Sequence, residues 1–262
     1  IQATFGCPYK CDFCAVISTQ KNYLRRPIDD VIKEISEMKE KFVTFIDPSP
    51  MEDKKYIKQL FKEMIPLKKM WGGLATVKIV DDEELMDLAA ASGCKGLLIG
   101  FETIDQEALN EVNKGFSKVE KYKEVCKQLH DRGISINGTF IFGMDSHDQS
   151  IFQRTVDFVQ ENAIELPRYA IYTPFPGTGV YNRLKKENDV FLIAHSYQTP
   201  DIIYGVADEV ADSYTLSKAA RDAPQQTILF SSVRFMAETA KIVSPHKTVL
   251  HPSPEAGCSL SD

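Results

Sequence analysis

Phe5-Gly6-Cys7-Pro8-Tyr9-Lys10-Cys11-Asp12-Phe13-Cys14 places three thiols in a C-x3-C-x2-C run. Thiolates ligate soft metal centres, iron–sulfur clusters and zinc among them, and a short loop carrying three can wrap one face of a compact cluster. Three protein ligands on a four-iron cube leave one iron open. An open coordination position separates a reactive metal site from a closed structural one. The loop therefore reads as a place where a small molecule meets iron. A zinc knuckle with its fourth ligand elsewhere, or three unrelated reduced thiols, would use the same residues.

Outward from this loop, apolar runs alternate with helical stripes. Pro27 opens a helix with Ile28, Val31, Ile32, Ile35 and Met38 on one face, and Phe42 to Ile46 follows as a strand. The same alternation gives a helix through Tyr56 to Met64, a strand at 71–77, a helix ended by Gly93 and a strand at 96–100. It continues with a helix at 118–131, strand 134–142, helix 149–161, strand 168–172 and a helix near 178–187. Continuous apolar strands between amphipathic helices imply a parallel sheet covered by helices, an α/β fold, and six such units suggest a barrel or part of one.

In parallel β/α barrels the loops after the strands meet on one face, where substrates bind. The cysteine loop, Asp47, Glu102, Asp145 and Thr173-Pro174-Phe175-Pro176-Gly177-Thr178 all fall directly after strands. Asp47 and Asp145 also suit plain helix caps. Glu102 follows a fully apolar strand, where a carboxylate suits a pair of ribose hydroxyls. Trp71, Leu74, Phe175 and Gly177 are expected to line the mouth and to favour a bulky or apolar substrate.

The whole-chain numbers exclude other classes. Of 262 residues, 43% are hydrophobic and 26% charged, which allows a sizeable core. A net charge of −6 and a pI near 5.5, with no basic stripe, argue against nucleic acid as a partner. No apolar run approaches the roughly 18 residues of a membrane span, and no signal-peptide pattern opens the chain, so a cytoplasmic protein is expected. Six cysteines, three of them clustered, do not form a secreted disulfide framework. Cys94 and Cys126 read as reduced packing residues. The start at Ile1, a strand running straight into the cysteine loop, suggests an excerpt from something longer.

With an aromatic residue before its third cysteine, the loop resembles that of the radical S-adenosylmethionine (SAM) enzymes. So do Gly100-Phe101-Glu102, Gly138-Thr139-Phe140-Ile141-Phe142-Gly143 and Thr173 to Thr178. The resemblance implies a partial (β/α)6 barrel over 1–187, with Cys7, Cys11 and Cys14 holding a [4Fe-4S] cluster. It also implies reductive cleavage of SAM to a 5′-deoxyadenosyl radical, a small-molecule substrate, and an electron donor such as flavodoxin or ferredoxin. By the same resemblance Phe13 lies near the adenine, Asp47 beside the methionyl amine, Glu102 near the ribose and Phe140 to Gly143 along the adenine. Thr173 belongs to the cofactor-binding set. The branch most resembled carries an N-terminal cobalamin-binding domain and often methylates unactivated carbon. Cobalamin thus enters only through a domain absent from this chain.

Past Leu184-Lys185-Lys186-Glu187 the sequence changes character. Ala194-His195-Ser196-Tyr197-Gln198, Asp212-Ser213, Phe235 to Lys241 and Ala256 to Asp262 resemble the first domain of quinolinate synthase. Residues 188–262 are therefore expected to form a small, incomplete α/β three-layer domain. The resemblance implies that His195, Tyr197 and Ser213 contact substrate and that Cys258 is one ligand of a second, incomplete cluster site. Ser196, Ala211 and Ser232 depart from that family's pattern. One thiolate cannot hold a four-iron cluster, so this part is expected to be inactive alone. A non-catalytic zinc or iron–sulfur protein remains the third reading.

Overall fold

The apolar runs within 42–46, 71–77, 96–100 and 134–142 become neighbouring parallel strands that bury alternate side chains against a helical layer, whereas the strand at 166–171 is largely exposed. The computed structural model describes residues 1–20, 22–253 and 255–257. β1 (Thr4–Phe5) leads into the cysteine loop, and after α1 (Val16–Thr19) it pairs antiparallel with β2 (Leu24–Arg25). Then come α2 (Ile28–Glu37), β3 (Phe42–Thr44), α3 (Lys54–Met64), β4 (Met70–Ala75), α4 (Glu83–Ala91) and β5 (Cys94–Glu102). These are followed by α5 (Gln106–Glu111), α6 (Tyr122–Asp131), β6 (Ser135–Phe142), α7 (Ser150–Glu161) and β7 (Leu166–Ile171). β3 to β7 form one parallel sheet in chain order, curled as a half-barrel. Where a sixth strand is expected, the segment before β1 lies along the end of β3, with Ile46 N donating to Ile1 O at 3.0 Å.

The period of two decides which side chains face which layer. Leu97, Ile99 and Phe101 of β5 and Ile136 and Phe140 of β6 are buried in the main core. Gly96, Leu98 and Asn137, one residue out of phase, line the concave face. Trp71 follows the first set. It packs against Phe45 and Phe61, with centroids 5.5 and 4.8 Å away, and donates from its indole to Ser92 Oγ at 3.0 Å. It is therefore a core residue and not part of the mouth, whereas Leu74 does line the concave face.

The described residues divide into two compact units, the second beginning at Pro174. The second contains α8 (Gly179–Glu187), β8 (Val190–His195), α9 (Pro200–Gly205), β9 (Glu209–Ala211), α10 (Ser213–Asp222), β10 (Thr227–Ser231), α11 (Arg234–Val243) and β11 (Thr248–Leu250). Its sheet is parallel, in the order β11-β10-β8-β9. Ile193, Ile228 and Phe230 pack against Leu216 and Ala220 of α10 and Met236 and Ala237 of α11. Tyr181 and Leu184 of α8 share a pocket with Val190 and Leu192 on the opposite face. That contact groups α8 with the second unit. Phe175 and Gly177, expected at the barrel mouth, belong to this unit as well.

Two glycines that stop helices differ in how much they matter. Gly93 follows α4 at φ +98, and a Cβ there would collide with Lys69 O. Gly133 follows α6 at φ +66 with nothing within 4 Å of an added Cβ. Gly133→Ala is expected to lose about 1 kcal/mol for left-handed backbone alone. Gly93→Ala, which adds a backbone clash, is expected to lose about 2–3 kcal/mol. Urea denaturation of the two variants checks the order; equal losses would contradict it.

Candidate functional site

The cysteine loop has no ladder of its own and is held from outside. Asp12 N donates to Val112 O at 3.0 Å, Gly6 N to Gln20 Oε1 at 2.6 Å, and Cys14 N closes a turn on Cys11 O at 3.0 Å. Gly6 sits at φ +76 against Asn22 O, where a Cβ would not fit. Tyr9, between the first two cysteines, stacks on Phe116 with centroids 3.7 Å apart. Its hydroxyl donates to Glu52 Oε2 at 2.5 Å and accepts from Lys78 Nζ at 3.0 Å. Glu52 Oε1 also accepts from Thr76 Oγ1 at 3.1 Å and Ser49 Oγ at 3.3 Å. The loops after β3, β4 and β5 thus converge on the middle of the cysteine run.

Cys11 is buried, while Cys7 and Cys14 are half-buried. Burial pushes the Cys11 thiol up to about 12, against the lowering effect of the Lys114 charge. Burial also raises Cys7, against hydrogen bonds from Tyr9 N–H and Ser49. Each of these thiols also feels the charge of Cys14, so the three share one electrostatic neighbourhood. Among the described residues, no three His, Cys, Asp or Glu side chains are grouped so as to hold a single metal ion.

Glu102 ends β5 in left-handed backbone, φ +63, at a bulge in the pairing with β6. The kink turns its carboxylate onto the concave side, where Lys114 Nζ donates to Oε1 at 2.6 Å and Thr139 Oγ1 to Oε2 at 3.3 Å. Glu102 and Lys114 are 8% and 7% exposed, so the pair is largely desolvated. Gly100 leaves room for it, since a Cβ there would lie 2.5 Å from Glu102 Oε1 and 2.9 Å from Lys114 Nζ. The same Nζ stands 5.9 Å from the centre of the Phe13 ring. Lys114 therefore links the cysteine loop to Glu102. Sequence reasoning missed it, although Asn113-Lys114-Gly115 marks a tight turn that brings a cation back toward the strand end.

The remaining candidates separate. Asp47 is fully buried and accepts from Ala3 N at 3.0 Å, from Thr4 N and from Thr4 Oγ1 at 2.7 Å. Its carboxylate ties the approach to the cysteine loop onto the sheet, and burial raises its pKa despite those bonds. Phe140 lies in the helix-facing core against Phe101 and Tyr169, at 5.7 and 6.0 Å, so only its main chain faces the concave side. Phe13 packs at a small cluster of Ala108, Val112 and Met144. Gly143, φ +94, and Thr173, whose hydroxyl donates to Ile171 O at 3.0 Å, stand in the loops after β6 and β7.

In the second unit His195 ends β8, and its ring lies 3.8 Å from that of Tyr197. Burial lowers the His195 pKa, opposed by Asp212, which caps α10 just before Ser213. His195 and Ser213 thus stand after neighbouring parallel strands. Cys258 lies outside the described residues.

Residues 1–159, more than half of the chain, match the model of the Radical SAM superfamily. The chain belongs to the radical SAM superfamily. Residues 180–262 of this radical SAM protein match a second model, the quinolinate synthetase A protein. A bacteriochlorophyllide d C-12(1)-methyltransferase of Chlorobaculum tepidum is 34% identical over 192 residues, 71% of this chain and 42% of that relative. A quinolinate synthase of Mycobacterium sp. (strain KMS) is 56% identical over 80 residues, 30% of this chain and 23% of the relative. Among solved structures, the radical SAM methyltransferase TsrM of Kitasatospora setae superposes with a TM-score of 0.66. It shares 21% identity and covers 71% of this chain and 39% of that one, a likeness of fold. The radical SAM protein spans less than half the length of each of these relatives.

Removing one member of a buried ion pair strands the other. Lys114→Met is therefore expected to lose about 3 kcal/mol in urea denaturation. The double variant Lys114→Met, Glu102→Gln is expected to recover more than half of that. Additive losses would show that the pair is not coupled.

Proposed function

We propose that the chain is a radical SAM enzyme in which Cys7, Cys11 and Cys14 hold a [4Fe-4S] cluster whose open iron takes S-adenosylmethionine. The pinned three-thiol loop carries this reading, in a chain whose family membership rests on residues 1–159. The donor set fits: three sulfurs sit on one short loop whose backbone is held from outside by Val112 and Gln20. When bound, the cluster supplies the electron that cleaves the SAM sulfonium.

The chain's own residues bind and orient. Glu102, fixed by Lys114 and Thr139, would accept from the ribose hydroxyls of SAM. Lys114, between Phe13 and Glu102, would attract the SAM carboxylate by charge. Phe13 and Gly143 would border the adenine, with Phe140 contributing main chain alone, and Thr173 would close the edge after β7. Asp47 is left out of the ligand set because its oxygens are engaged by Ala3 and Thr4.

The likeness to the Chlorobaculum tepidum methyltransferase supports methyl transfer as the reaction, and cobalamin would take part only through a domain outside these residues. A flavodoxin or ferredoxin would deliver the electron in a cytoplasmic setting. The match over 180–262 favours a second reading for that part alone, the opening third of a quinolinate synthase with His195, Tyr197 and Ser213 toward substrate. With Cys258 as its sole candidate ligand, this part is proposed to make no quinolinate.

Oxygen-free reconstituted protein with dithionite and SAM is expected to release 5′-deoxyadenosine, and Cys11→Ala to release none. Glu102→Gln is expected to weaken SAM binding about tenfold, or 1.4 kcal/mol. A fully loaded wild type that leaves SAM intact would overturn the proposal. The same preparation supplied with iminoaspartate and dihydroxyacetone phosphate is expected to yield no quinolinate.

A further inference from the structure

The concave face of the half-barrel holds a cavity of about 430 Å³ that neither the cysteine loop nor the Glu102 pair occupies. It begins at Phe42 and Lys95, at the amino ends of β3 and β5, and reaches Leu74, Leu98, Asn137 and Arg168 partway up the strands. The space exists because glycine floors it. A Cβ on Gly72 would lie 3.3 Å from the Phe42 ring and 3.2 Å from Gly96 O. Its size is within the roughly 300–1,000 Å³ typical of small-molecule pockets.

The charges in this cavity are unbalanced. Lys95 and Arg168 line it, and among the described residues neither has a carboxylate partner. The acid that lines it, Glu165, is already engaged by Ile136 N at 2.8 Å and faces His130 Nε2 at 3.3 Å. Register places Arg168 opposite Thr139, and Thr139 opposite Gly100. Arg168 is thus one strand beyond the hydroxyl that reaches Glu102. Beside it on β6, the Asn137 carboxamide oxygen is buried and has no hydrogen-bond partner.

We propose that this cavity takes the substrate, and that the substrate is an apolar molecule bearing a carboxylate, which Arg168 grips with its two-pronged guanidinium. The hydrocarbon body lies against Leu74, Leu98 and Phe42. A guanidinium fork matches a carboxylate in two parallel hydrogen bonds, and walls this apolar suit a monoanion better than a phosphate dianion. Arg168 also sets orientation, because it holds the anion level with Gly100 and leaves the rest of the molecule along the concave face. That the ligand is a substrate rests on the radical SAM reading above; the binding itself does not.

The test is fluorescence titration of the reconstituted full chain with 2-naphthoate and with 2-naphthamide, a neutral probe of matched size. The acid is expected to bind at least tenfold tighter than the amide. Arg168→Gln is expected to erase that preference while the amide's affinity stays within twofold, which also shows that the cavity is still folded. Lys95→Gln, at the far end, is expected to cost the acid less than threefold. Equal binding of acid and amide by the wild type, a preference that survives Arg168→Gln, or no saturable binding of either probe would each overturn the proposal. Release of 5′-deoxyadenosine by the same wild-type preparation is a separate readout. Its absence would refute the enzyme reading and leave the acid-over-amide result standing.

Discussion

Three thiols on a short irregular loop keep a common geometry only if something outside the loop holds them, and here two carboxylates in the segment after β3 do so. Asp47, after β3, takes the backbone and hydroxyl of Ala3 and Thr4, fixing where the chain enters the loop. Glu52 takes the Tyr9 hydroxyl from the middle of the loop, together with Thr76 and Ser49. Charge-assisted hydrogen bonds of this kind are among the strongest the backbone and side chains make. The loop is therefore preorganised by the half-barrel, and everything proposed about the site depends on that attachment.

The second constraint is the concave face. A buried Glu102–Lys114 pair costs desolvation that only close contact and further hydrogen bonds offset. Gly100 permits that contact and Thr139 adds the second hydrogen bond. A non-glycine residue held at positive φ stores strain, which concentrates at functional sites. The strain at Glu102 turns a strand-end carboxylate toward the ligand side. Below it the same sheet leaves a floor of glycines, with Arg168 at its edge.

Much of this was legible in the sequence because it is local. The cysteine spacing, the alternation of strand and helix, and the helix stops at Gly93 and Gly133 need only neighbouring residues. What was not legible depends on distance or on phase. Tyr9 and Glu52 are 43 positions apart, and nothing in either neighbourhood names the other. Asp47 and Glu102 look alike as carboxylates after strands, yet one is turned toward backbone and the other toward the concave face. Trp71 is expected at the mouth from its strand and Phe140 at the adenine from the resemblance, whereas the alternation of side chains sends both to the helical layer. β9 and α9 were too short for periodicity to register.

The two units match two different families. The first brings its thiols, Glu102 and Lys114 to one end of one sheet, while the second places His195, Tyr197 and Ser213 after parallel strands with one candidate thiol. The central claim is that three thiols leave one iron open to SAM, and electron paramagnetic resonance of the reduced cluster addresses it most directly. Adding SAM to the oxygen-free, reduced full chain is predicted to shift the g-values of the cluster signal. Identical spectra with and without saturating SAM would contradict the account.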